Sequence, residues 1–122
     1  MRTRQIKGSV AYHAGLAAED SVALAYERAG HPIVARRWRG SAGEIDLIAQ
    51  NGEGFVFIEV KKSRSHAEAA SALSPAQIAR IFDAASEFVA NAPRGLLTQM
   101  RFDVALVDGM GRIERLENAL AV

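Results

Sequence analysis

The sequence contains no cysteine. Disulfides and thiolate metal sites are therefore excluded, and a reducing, cytosolic setting fits. Nor does any run reach the roughly 18 apolar residues of a membrane helix. The basic start, MRTRQIKGSVAYHAGLAAED, is broken by Ser9, His13 and Gly15 before the apolar core of a signal peptide forms, so secretion is not expected. Histidine is scarce: His13, His31 and His66 are scattered and do not suggest a ligand cluster. A charge excess is missing too. Fifteen Lys and Arg stand against fourteen Asp and Glu, so bulk charge does not point to nucleic acid. There is no Gly-rich phosphate loop and no Ser-His-Asp or Cys-His arrangement. With 122 residues, no repeats and no linker, the chain reads as one domain over 1–122, its first twelve residues basic and frayed.

What is present has a clear order. Residues His13 to Ala29 are rich in helix formers, and Leu16, Ala18, Val22, Ala23, Ala25 and Tyr26 make an approximate apolar stripe ended by Gly30. Ile33-Val34-Ala35 follow Pro32 as a first strand. Arg36-Arg37-Trp38-Arg39 then set three cations around one aromatic. That run is either a solvated strand end or a phosphate contact surface with a stacking residue. Further on, Lys62 to Leu73 reads as a polar loop. Ser74-Pro75-Ala76-Gln77 is a helix start with Ser at the cap, Pro at the first position and Gln in the capping-box position. Ile78, Ile81, Phe82, Ala85, Phe88 and Val89 form its apolar face. Met100 to Val107 is a strand with Phe102, Val104 and Leu106 on one face, and Arg112 to Glu117 a short edge strand. Helix, three strands, helix, strand and short strand make an α/β fold, a mixed central sheet flanked by helices.

Gly43 to Lys61 carries the chemistry. GEIDLIAQNGEGFVFIEVK is two apolar runs joined by a turn signal, with Glu44, Asp46, Glu59 and Lys61 at the outer ends. The second run is apolar on both faces until its end, as a central strand covered on both sides would be. Strict alternation places Glu44, Asp46 and Ile48 on one face. Two registers compete. An Asn51-Gly52 turn sets Asp46 against Phe57; a turn centred between Gly52 and Glu53 sets Asp46 against Glu59 and Glu44 against Lys61. The second is preferred because it gathers four ionic groups at one place. Two carboxylates about 5 Å apart at an effective dielectric near 20 repel by about 3 kcal/mol. One takes up a proton or a cation sits between them. Oxygen donors favour Mg²⁺ or Mn²⁺ over zinc, and Lys61, roughly 6.6 Å beyond Glu59 along the strand, suits displacement at a phosphodiester. The plainer alternative is an ion-pair ladder, Glu44 with Lys61.

Asp46, thirteen residues, then Glu59-Val60-Lys61, on a hairpin after a helix bearing Glu19, resembles the PD-(D/E)xK nuclease superfamily. GEIDLIA, FIEVK, RFDVALVDG and GRIERLENAL look like the YraN-like family of small bacterial proteins, over about Gly15 to Leu120. The resemblance implies a restriction-endonuclease-like or Holliday-junction-resolvase-like core acting on DNA, branched or recombination-associated. It implies Asp46 and Glu59 as metal carboxylates, the Val60 carbonyl as a backbone ligand, Glu19 as the completing acid and Lys61 as the catalytic lysine. The family usually has Asn at Arg37, Thr-Arg at Lys62-Ser63 and a lysine at Gln77; related nucleases place Gln on that helix near the site, so Gln77 joins the candidates beside its capping-box reading. Arg36, Arg37, Trp38, Arg39 and Lys62 are the candidate nucleic-acid contacts. A binding or scaffold protein that keeps the fold with little cleavage is the alternative, and edge-strand dimerisation is compatible with both.

Overall fold

In the computed structural model, residues 16–62 and 73–119 are described. The basic start, most of the loop after Lys62, His66 and the last three residues lie outside them. Helix α1 covers residues 16–28. Then come β1 (Ile33–Arg39), β2 (Glu44–Asn51), β3 (Gly54–Lys62), α2 (Pro75–Val89), a 3-10 turn (Gly95–Leu97), β4 (Met100–Val107) and β5 (Ile113–Leu116). This is the expected order, except that β1 runs on through Arg39.

The strands form one sheet in the order β1-β2-β3-β4-β5. β3 and β4 are parallel and the other neighbours antiparallel. The parallel pair needs a crossover, which α2 supplies. β3 is therefore the central strand, as its two apolar faces require. One face packs on α1 through Ala18, Val22, Ala23 and Tyr26 against Leu47, Ala49, Val56, Ile58, Ala105 and Val107. The other packs on α2 through Ile81, Ala84, Ala85 and Val89 against Ile48, Phe57, Phe102, Val104 and Leu106. Helix α2 starts where expected: Ser74 Oγ accepts from the Gln77 N–H at 3.2 Å, with Pro75 in the first turn. No helix among the described residues is long and apolar enough to cross a membrane.

The β2–β3 hairpin has the preferred register. Ile48 pairs with Phe57, Ala49 with Val56 and Leu47 with Ile58. The Asn51-Gly52 two-residue turn is not formed: Asn51 pairs with Gly54, so Gly52, with φ 60°, and Glu53 make the turn. Strict alternation, however, fails one residue beyond that ladder. Ile45 and Ile48 both face α2, whereas Leu47 faces α1. The cause lies across the pairing with β1. Arg36 pairs with Leu47 and Trp38 with Ile45, and between them Arg37 and Asp46 drop out of the ladder. Arg37 has φ 49°, a left-handed conformation costing a non-glycine residue roughly 1–2 kcal/mol. This break turns Asp46 away from the regular pleat.

Candidate active site

The site sits where β2 and β3 part. Asp46 leaves the ladder, and its Oδ2 accepts the Val60 N–H at 2.8 Å. A carboxylate thus occupies a place where a regular hairpin would put a backbone carbonyl. Glu59, 8 % exposed, is among the few buried charged residues. Its Oε1 accepts the Gln77 Nε2–H at 3.1 Å and lies 3.5 Å from Lys61 Nζ. The Asp46 and Glu59 carboxyls lie close enough for each to act on the other's charge. Sequence spacing sets these two acids opposite each other; the structure adds the Val60 clamp on Asp46 and the Gln77 contact on Glu59.

The electrostatics follow from that geometry. Burial, then the Asp46 charge, pushes the Glu59 carboxyl up to about 8, and Lys61 pulls only partly against this. Asp46 is raised too, first by burial and further by Glu19, while the Val60 N–H lowers it. Near neutral pH the pair holds one proton more than two ordinary carboxylates would.

Gln77 divides the two readings made of it. Its backbone N–H is capped by Ser74, but its side chain crosses to Glu59 instead of closing a capping box. Glu19 reaches the neighbourhood from α1, close enough for its charge to act on Asp46. Its carboxylate is bound by Arg37, Nε to Oε2 at 3.1 Å. Glu44 does not join the site: it pairs with Arg39 at 3.2 Å, so the expected Glu44–Lys61 ladder is replaced by a pair across β1 and β2. Lys61 faces Glu59 instead.

The basic run is divided among separate partners. Arg36 pairs with Asp20 at 2.6 Å, Arg37 with Glu19 and Arg39 with Glu44. Trp38 is half-buried, its ring edge-on to Phe88 at 5.4 Å between centroids, which ties β1 to α2 instead of presenting a flat stacking face. The turn after it is pinned to the same helix by Glu87, whose Oε2 accepts from the Ser41 N–H and hydroxyl. Lys62 is exposed and borders a cleft of about 220 Å³ lined by Ala17, Ser21, Gly109 and Gly111.

Sequence reasoning missed one supporting network. Asp103 is fully buried. It accepts from Tyr26 Oη (2.7 Å), from the Arg101 fork (3.0 and 2.9 Å) and from the Asn118 N–H (2.8 Å). Burial, then Asp103 itself, raises the Tyr26 hydroxyl well above its ordinary range. The network locks α1, and with it Glu19, onto β4. The signal available in the sequence was RFD, an arginine two residues from an aspartate on the same strand face.

The family model described as "Uncharacterised protein family UPF0102" matches residues 18–107. The chain belongs to the UPF0102 family. Relatives include UPF0102 proteins of Cereibacter sphaeroides, 63% identical over 95% of this chain and 99% of the relative, and of Ruegeria pomeroyi, 55% identical over 98% and 97%. This is the group resembled by the GEIDLIA and FIEVK motifs, and the match spans both helices and the carboxylate pair.

The donor set is all oxygen, which suits a hard divalent ion. Among the described residues, no three His, Asp or Glu side chains are gathered closely enough to hold a metal ion. Glu59, buried, and Asp46, half-buried, are oxygen donors whose neighbouring charges oppose each other, and a cation between them would relieve that opposition.

Proposed function

We propose that this UPF0102 protein is a divalent-metal-dependent nuclease that hydrolyses phosphodiester bonds in DNA, with branched or recombination-associated DNA as its substrate class. One observation carries the reading: a buried carboxyl, Glu59, sits beside the half-buried Asp46, and Lys61 Nζ lies 3.5 Å from Glu59. A purely structural ion pair would not need the second acid, whose burial beside the first opposes its ionisation.

Asp46 and Glu59 would hold Mg²⁺ or Mn²⁺, with the Val60 carbonyl and Glu19 as further ligands. Such an ion supplies Lewis acidity toward a phosphodiester and charge neutralisation. The Val60 N–H fixes the orientation of Asp46, and the Gln77 amide that of Glu59. The Lys61 ammonium stands ready to stabilise negative charge developing at phosphorus. Lys62, on the opposite face of the same strand end, offers a cation to the flanking backbone; Arg36, Arg37 and Arg39 would share their N–H groups between a phosphate and Asp20, Glu19 and Glu44. The absence of cysteine favours a cytoplasmic setting.

A DNA-binding protein that does not cut is the second reading. It is favoured by Arg37 occupying Glu19, which leaves two acids at the pair. The test is cleavage of branched and linear DNA with Mg²⁺ or Mn²⁺. Asp46→Asn and Lys61→Ala are expected to lose about 100-fold or more of the wild-type rate. Variants that cut as well as wild type refute the assignment; DNA bound but never cut selects the second reading. Edge-strand dimerisation is compatible with both and is read by light scattering.

A further inference from the structure

Arg37 joins three observations that the carboxylate pair does not explain. Its backbone is left-handed in mid-strand. It stands across from Asp46, and both residues leave the β1–β2 ladder there. Its guanidinium binds Glu19, the one α1 carboxylate whose charge reaches Asp46. Strained backbone persists where surrounding structure enforces it, often at working sites. Here the strained residue is the one whose cation binds the third acid. Glu19 is 16 % exposed at its side chain, so the contact is partly shielded from solvent.

Resting on the nuclease reading, we propose that Arg37 is a latch: it holds Glu19 off the Asp46–Glu59 pair, and a nucleic-acid phosphate that takes the guanidinium releases Glu19 to complete the metal site. A guanidinium's fork of N–H groups matches a phosphate as well as a carboxylate, so a phosphate arriving beside Glu19 can compete for Arg37. Substrate binding and metal binding then reinforce each other, because the phosphate removes a positive charge from Glu19 as it arrives. The ligand class is a phosphodiester backbone, and no base is read. Arg37 acts through Glu19 and is a positioning residue.

The test uses Mn²⁺ titration of the full chain, followed by calorimetry without DNA. Arg37→Asn keeps a residue that tolerates left-handed φ, and Arg37→Gly serves as the second variant in case the first perturbs folding. Removing the latch frees a carboxylate and deletes a nearby positive charge, so Mn²⁺ is expected to bind about tenfold or more tightly. Adding Glu19→Gln to Arg37→Asn is expected to cancel that gain. A short duplex is expected to tighten Mn²⁺ binding to wild type but not to Arg37→Asn. Unchanged Mn²⁺ affinity in both folded Arg37 variants, or a gain that survives Glu19→Gln, overturns the latch. If Asp46→Asn binds Mn²⁺ as wild type does, the metal site itself is wrong, a failure distinct from that of the latch.

Discussion

Glu59→Gln should make the protein more stable at pH 8, although it removes a charged residue that contacts a lysine. In the fold the carboxyl titrates at about 8, against an ordinary value of 4.5. The folded state therefore holds a proton that the unfolded chain releases across that window. Stability falls with pH wherever the folded state binds more protons. The contribution is fully present below pH 4.5 and is lost as pH rises through about 8. One proton over a span of about 3.5 pH units, at about 1.36 kcal/mol each, gives an upper bound near 5 kcal/mol. Coupling to Asp46 spreads the titration, so roughly 3–5 kcal/mol is expected. Glutamine carries no proton to lose and sets no second negative charge beside Asp46. It sacrifices a charge-assisted contact with Lys61 of about 1 kcal/mol. Urea unfolding in EDTA at pH 5, 6, 7 and 8 measures this directly. Wild type should lose stability steadily while the variant stays nearly level, and the curves should cross. A wild-type stability that is flat or rises over this range, or a variant weaker than wild type at pH 8, refutes the reasoning.

Asp103→Ala should cost about 3–5 kcal/mol in denaturant unfolding, because it strands Arg101, the Tyr26 hydroxyl and the Asn118 N–H around a buried void. Gly54→Ala places a Cβ 2.5 Å from the Gln99 carbonyl oxygen, a backbone atom with little room to retreat; a loss of about 1–3 kcal/mol is expected in the same assay. Arg36→Ala, by contrast, removes an exposed pair with Asp20 and should change stability by less than about 1 kcal/mol. Mn²⁺ should raise the thermal midpoint of wild type more at pH 8 than at pH 6, since protons compete for the same carboxylates.

The hairpin and its acidic pair were legible because two physical signals coincide there. Period-two burial sets the faces of β3, and charges at the outer ends of two apolar runs mark the register that brings Asp46 toward Glu59. Helix α2 was legible for a similar reason, since Ser74 and Pro75 mark its start and Ile81, Ala85 and Val89 its buried side. The path of β1 was not. A run of three arginines reads as a strand end, yet Trp38 packs on Phe88 and carries the strand to Arg39. The left-handed turn at Arg37 breaks the alternation on both sides of the pairing, and a pattern read by alternation has no means of showing that break. It misplaced Glu44 for the same reason. The pairing of Glu19 with Arg37 is a contact between α1 and β1 that no spacing rule reports. Asp103 was hidden because a single aspartate in an apolar strand does not name its partners.

Calorimetric titration of Mn²⁺ at pH 7.5, in two buffers of different ionisation enthalpy, tests the central claim most directly. A cation seated between Asp46 and Glu59 must displace the proton that burial beside Asp46 keeps on Glu59. Wild type should bind Mn²⁺ with the release of close to one proton, seen as a heat that depends on the buffer, and Asp46→Asn should lose most of that binding. Absence of binding by wild type, binding without proton release, or equal binding by Asp46→Asn would contradict the account.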